Sequence, residues 1–304
     1  MAASAPDRDG AIELGADLLA RIHALEIRPR RLTASLLGGE YRSVFRGAGI
    51  EFAEAREYID GDDVRRIDWN VTARMGTPWV KQYVEERDLS VLCAVDRSAS
   101  VRVGTPERGR FGAAAELVAL LSFAATQNHD RAGLLTFAES PETFVRPQRG
   151  TRHALRMVRD VILSAPALGT RTDLTAAVDY LGRVLRRRSI VFLISDFLTE
   201  GYEEALRGLA RRHEVVALVL VDPLDAALPD LGLIAVADAE TGARLWIDSG
   251  DRRVRERFAR AAEERALRRR RALAAAGVEE ILIPITGDVV EPVAAFFRRR
   301  AQAR

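Results

Sequence analysis

From Ser90 onward, continuous apolar runs alternate with stretches of helical period: SVLCAV, AGLLTF, SIVFLIS, EVVALVLV and EEILIPI recur with amphipathic segments between most of them. An apolar run without polar alternation is a strand covered on both faces, which a sheet flanked by helices provides and a half-solvated antiparallel sheet does not. Strand–helix–strand order repeated along a chain requires crossover connections and therefore parallel neighbours. The expected fold class is α/β, a doubly wound, mostly parallel sheet. Helices are expected near 108–127, 151–163, 173–187, 202–212 and 251–276 and at the C-terminus, with a short extended piece at ETFVRP. The segment 231–250, LGLIAVADAETGARLWIDSG, has two short apolar runs about an ETG turn and reads as a hairpin inserted before the long helix.

Upstream the pattern changes. Residues 11–25, AIELGADLLARIHAL, repeat apolar positions at three and four and predict an amphipathic helix. Residues 35–88 are polar and rich in Gly and Arg, contain Trp69 and Trp79, and show little regular period. They predict an irregular or short-stranded module with too few periodic apolar residues for its own core, packed on the α/β domain with both tryptophans as anchors. The expected organisation is a helical segment at 1–34, this small irregular or β-rich module at 35–88, and an α/β domain at 89–304 carrying the hairpin insertion.

Ligands of open α/β sheets lie at the carboxyl ends of the strands, so the polar residues there carry the functional reading. LCAVDRSAS ends on Asp96, Ser98 and Ser100 at alternate positions, which an extended segment aims at one point. SIVFLISDF puts Asp196 in the same relation to its strand, and GTRTDLTAAV offers Thr170, Thr172 and Asp173 before a helix. Two carboxylates with several hydroxyls form a hard-oxygen set suited to Mg²⁺ or Mn²⁺ and unsuited to zinc. His23, His129, His153 and His213 are scattered and have no metal-ligand spacing. Asp and Ser after a strand are also ordinary helix caps and turn formers, and each loop alone is open to that reading.

Composition narrows the function classes. The 304 residues are 48% hydrophobic, and the 30% that are charged nearly cancel to +2, so no nucleic-acid partner is expected. The arginine runs at 268–271 and 298–300 fall in helical segments and read as solvated faces. The lone Cys93 lies in an apolar strand, which fits a reducing cytoplasm. No uninterrupted apolar segment approaches the ~20 residues of a membrane span, and MAASAPDRDG lacks signal-peptide order. There is no G-x-x-x-x-G-K-[ST] and no G-x-G-x-x-G after the first strand, so nucleotide hydrolysis is not expected of this chain.

These residues carry a resemblance. DRSAS, GTRTDLTAAV and ISDF resemble the three loops of the metal ion-dependent adhesion site of von Willebrand factor A-type domains. The resemblance implies a metal site formed by Asp96, Ser98, Ser100, Thr172 and Asp196. Thr172 fits better than Thr170 because it stands five residues before the small helical residue Ala177. GAGIEFAEAREYIDGDDVRRIDWNVTARMGTPWVKQYVEER, 47–87, resembles the signature of the bacterial domain of unknown function 58 family, with its G-x-E-F, R-x-Y, G-D-D, R-x-I-D-W, A-R and V-K-x-Y-x-E elements. That family implies a non-enzymatic, divalent-cation-dependent interaction module, an adaptor or co-chaperone-like partner of a MoxR-type AAA+ ATPase. The protein partner would present an Asp or Glu to the metal.

The alternative is a metal-dependent hydrolase, a phosphatase or nuclease, using the same strand-end cation with Arg97 and Arg171 as phosphate contacts. Against it, the three loops contain no histidine or lysine, and Asp96 has Ser rather than a second Asp at +2. Asp60, Asp62, Asp63 and Asp68 with Lys81 have a nuclease-like composition, but the arginines among them make mutual ion pairs the simpler account.

Overall fold

The computed structural model describes residues 49–86, 89–102, 109–163, 170–238 and 241–302. The helix expected at 11–25 lies outside the described residues. The chain divides into two compact units at the boundary between Leu89 and Ser90.

In the first unit β1 (Gly49–Glu57) and β2 (Trp79–Glu86) pair antiparallel, a more regular ribbon than the sequence suggests. The register shifts between Phe52 and Glu54, and this irregularity breaks the period-two signature that would have betrayed the strand. Between the strands lies α1 (Trp69–Met75), capped by Asp68, which accepts from the Asn70 and Val71 N–H groups, and ended by Gly76 at φ 78°. Arg56 grips Asp62 at 2.7 and 2.6 Å, and Asp63 accepts from the Arg65 N–H at 3.0 Å. Asp62, Asp63 and Asp68 therefore serve an ion pair and two caps, in keeping with the structural account of this cluster. Trp69, expected as a packing anchor, is 70% exposed, since it opens a helix that buries none of its residues.

The second unit contains β3 (Ser90–Asp96), α2 (Ala99–Arg102), α3 (Gly109–Gln127), β4 (Arg131–Phe137), β5 (Pro141–Gln148) and α4 (Thr151–Leu163). There follow α5 (Leu174–Val184), β6 (Ile190–Ser195), α6 (Glu203–Ala210), β7 (Glu214–Val221) and α7 (Pro223–Ala226). The chain then forms the hairpin β8 (Leu233–Ala237) and β9 (Arg244–Asp248), α8 (Arg252–Ala275), β10 (Glu279–Pro284) and α9 (Val290–Gln302). The expected elements are thus present.

Six strands make one sheet in the order β10-β7-β6-β3-β4-β5, parallel except for the antiparallel edge strand β5. One face, carrying Leu92, Leu135, Leu193 and Ala217, packs on Leu181 of α5, Leu206 of α6 and Leu273 of α8. Val91, Cys93, Val95 and Phe192, in alternate register, are fully buried on the other face. There α3 is buried along most of its length, with Ala119 and Phe123 against Ala154 and Val158 of α4. By length and composition alone α3 would pass as a membrane span, and it is the buried central helix of this face.

From β3 the chain builds outward through β4 to β5, then crosses back to the other side of β3 and builds through β6 and β7 to β10. The carboxyl ends of β3 and β6 therefore flank the point where the winding reverses, the place where such sheets bind ligands.

Gly133 shows how closely the edge is fitted. It pairs with Leu92, and a Cβ there would lie 2.9 Å from the Leu92 Cδ1 and 3.0 Å from the backbone N of Pro147. Gly133→Ala should destabilise the α/β unit by about 1–3 kcal/mol, read as a lower urea midpoint at unchanged slope. An unchanged midpoint would show that β5 yields freely.

Candidate metal centre at the strand ends

The apolar run of β3 is buried from Val91 onward and carries its last residue inside with it: Asp96 and Ser98 are 0% exposed. The three oxygens do not converge by extended alternation as the sequence reading supposed. The strand stops at Asp96, and the Ser98 N–H donates to the Asp96 Oδ1 at 2.8 Å, a tight turn that starts α2 at Ala99. That turn brings the Ser98 and Ser100 hydroxyls to 3.0 Å from each other beside the Asp96 carboxyl.

β6 runs alongside with Val95 opposite Ile194, so Ser195 stands next to Asp96 and donates to its Oδ2 at 2.6 Å. The same hydroxyl accepts the Phe197 N–H at 3.1 Å. Phe197 adopts φ 53°, an uncommon conformation for a bulky residue, and is held there by burial and an edge contact with Tyr202 at 5.8 Å. Next to this sharp bend Asp196 is 2% exposed. Its Oδ1 accepts the Leu198 N–H at 3.1 Å, while its buried Oδ2 has no hydrogen-bond partner among the described residues.

The third loop adjoins the first. The Ala99 N–H donates to the Thr170 carbonyl at 3.0 Å, and the Asp173 N–H to the Ala138 carbonyl at 2.9 Å. Asp173 caps α5 through the Ala176 N–H at 2.9 Å, so its carboxylate serves the helix. Thr172 lies half-buried between these anchors.

Two residues that the sequence reading did not assign to the site complete its surroundings. Ser195 belongs to ISDF, where the only signal was a hydroxyl closing an apolar run. Arg110 is the one basic residue in the largely apolar GRFGAAAELVALLSFAATQ, and it is 3% exposed. It donates to the Ser100 carbonyl at 2.9 Å and pairs with Asp225 of α7. Arg97, by contrast, pairs with Glu142, and the Arg171 N–H donates to Glu139 at 3.2 Å.

The electrostatics follow from burial. Loss of solvent, then the nearby charge of Asp196, pushes the Asp96 carboxyl up to about 7 against the hydrogen bonds from Ser195 and Ser98. Burial likewise raises Asp196, opposed by the Arg110 guanidinium and the Ser100 hydroxyl. Two buried carboxyls, two hydroxyls and an orphaned carboxylate oxygen fit a hard divalent cation. No cluster of three or more His, Cys, Asp or Glu suited to a metal is present among the described residues, so neutral oxygens and water would complete the shell.

Comparison with known proteins places the chain in a family. Residues 54–268 match the family described as "Protein of unknown function DUF58". Uncharacterized protein Rv1480 of Mycobacterium tuberculosis and uncharacterized protein Mb1516 of Mycobacterium bovis are each 38% identical over 248 residues, covering 81% of this chain and 78% of theirs. Among solved structures, the conserved hypothetical protein BatB from Bacteroides thetaiotaomicron is similar at 17% identity and a TM-score of 0.45, over 70% of this chain and 99% of its own. The SpRpn10 VWA domain is similar at 13% identity and a TM-score of 0.38, over 67% and 93%. On the family match and the mycobacterial relatives, this chain belongs to the DUF58 family.

Proposed function

We propose that this chain is a non-enzymatic, divalent-cation-dependent protein-interaction module. The observation that carries the reading is the buried, unpartnered Oδ2 of Asp196 at the strand ends that also hold Asp96, Ser98 and Ser100. Asp96, Ser98, Ser100, Thr172 and Asp196 would hold Mg²⁺ or Mn²⁺. Such a cation neutralises the facing carboxylates and, with few protein charges in its shell, keeps a position open to an Asp or Glu of a partner. Ser195 and the Ser98 N–H orient the Asp96 carboxylate, the Leu198 N–H fixes one oxygen of Asp196 and leaves the other for the cation, and Arg110 anchors the Ser100 backbone. The family resemblance supports a MoxR-type AAA+ ATPase as the partner. Hydrolysis finds less support, because the strand-end loops offer carboxyls and hydroxyls without an imidazole or amine to act as base, and Arg97 is engaged by Glu142.

The partner test is capture of a purified MoxR-type ATPase on the immobilised full chain. Binding should require Mg²⁺ or Mn²⁺, vanish with chelator, and be lost in Asp96→Ala. Capture that ignores both chelator and the substitution would overturn the reading.

Calorimetric titration of Mg²⁺ into the chain should show one site. The double change Ser98→Ala and Ser100→Ala removes two neutral ligands and should weaken the site at least about tenfold while the fold persists. Equal affinity in wild type and double variant would remove the hydroxyls from the coordination shell.

Asp96 also predicts a pH dependence of the metal-free chain. Its pKa is raised on folding, so its contribution to stability is full below the unfolded value near 4 and is lost as pH rises through about 7. Without metal, wild type should therefore lose on the order of 3–4 kcal/mol between pH 4 and 7.5 relative to Asp96→Asn. Saturating Mg²⁺ should abolish this loss. Parallel pH profiles for wild type and variant, measured by urea melts, would refute the raised pKa of Asp96.

A further inference from the structure

The hairpin β8–β9 is a two-stranded sheet with no further strand beside it among the described residues. Its surface is apolar and open: Leu233, Leu245 and Trp246 are 65%, 64% and 67% exposed. A ribbon of two strands buries little by itself, and proteins usually blunt such edges with proline, bulges or inward charges. Here the register is unbroken from Leu233 opposite Asp248 to Ala237 opposite Arg244, and neither strand contains proline.

The end bonds fix which backbone groups are free. The Asp238 N–H donates to the Ala243 carbonyl at 2.8 Å and the Ser249 N–H to the Gly232 carbonyl at 2.7 Å. By antiparallel alternation Leu245 and Ile247 turn their peptide groups toward β8, whereas Arg244, Trp246 and Asp248 turn theirs to the outer edge. The charges at the two ends of β9 are also unmatched within the ribbon: Arg244 faces Ala237 and Asp248 faces Leu233, and neither forms an ion pair among the described residues.

We propose that the outer edge of β9 pairs antiparallel with β9 of a second copy about a twofold axis through Trp246, giving a four-stranded sheet β8–β9–β9′–β8′. The strand Arg244-Leu245-Trp246-Ile247-Asp248 is its own complement. Centred on Trp246, the pairing sets Arg244 opposite Asp248 of the second copy at both ends, Leu245 opposite Ile247, and the two Trp246 rings side by side. This register joins the residues whose peptide groups face outward, so those N–H and C=O groups find partners as the charges do; Asp248 would pair in addition to the bonds its carbonyl accepts from the Asp251 N–H at 3.3 Å and its Oδ1 from the Gly250 N–H at 3.0 Å. An isologous contact of this kind closes on itself and leaves no β9 edge for further growth. It is independent of the strand-end oxygens.

Sedimentation of the full chain in chelator tests this pairing. Wild type should show a concentration-dependent monomer–dimer equilibrium, weak because the area joined is small. Arg244→Asp alone sets acid against acid at both ends, and Asp248→Arg alone sets base against base. Each should weaken self-association about tenfold or more. Mixed in equal amounts, the two variants again pair unlike charges at both ends and should form a heterodimer at least as tight as the wild-type dimer. Misfolding of either variant cannot produce that rescue. Wild type that stays monomeric at the highest accessible concentration, or a mixture that associates no better than its components, would overturn the proposal.

Discussion

Two carboxylates, Asp96 and Asp196, are carried out of water at the ends of adjacent parallel strands, and the architecture around them is shaped by the cost of that burial. An ionised carboxylate in a low-dielectric interior needs hydrogen-bond donors, a counter-charge or a proton. Asp96 has the Ser195 hydroxyl and the Ser98 N–H, which hold both its oxygens. Asp196 has the Leu198 N–H and the nearby Ser100 hydroxyl, while its Oδ2 has no hydrogen-bond partner among the described residues. The nearby guanidinium, Arg110, is itself engaged by Asp225, so the pair keeps an uncompensated demand for positive charge. That residual demand is what the proposed cation would meet.

The sheet creates the demand through topology. β3 is flanked by β4 on one side and β6 on the other, and both carboxyl termini therefore open at the reversal point. The parallel register of β3 and β6 sets Ser195 beside Asp96, one residue ahead of Asp196. A strand pair shifted by one residue would exchange the faces of every side chain and place Asp196 elsewhere. The left-handed turn at Phe197 and the Asx turn at Ser98 are local adjustments that let the chain leave the strands without exposing these groups.

Much of this was legible in the residues. Uninterrupted apolar runs announced the strands, and an acid at the end of two of them announced Asp96 and Asp196. Ser98 and Ser100 do lie together near Asp96, but through a turn where the alternation argument assumed an extended chain. Asp173 belongs to a helix cap, a role that sequence leaves open for any acid before a helix. Ser195 and Arg110 act across 99 and 10 residues of chain, on Asp96 and Ser100, and only the strand register and the packing of α3 bring them there. The irregularity in β1 hid a strand by breaking its period, and the free edge of β9 is meaningful only once the pairing with β8 is known.

The proposed function requires a cation between the strand ends, and the most direct measurement is anomalous scattering from crystals of the chain soaked in Mn²⁺. It predicts a single strong peak bounded by the Ser98 and Ser100 hydroxyls and the unpartnered oxygen of Asp196, with water completing the shell. Saturating Mn²⁺ that leaves no peak there, or a peak only at surface carboxylates, would contradict it.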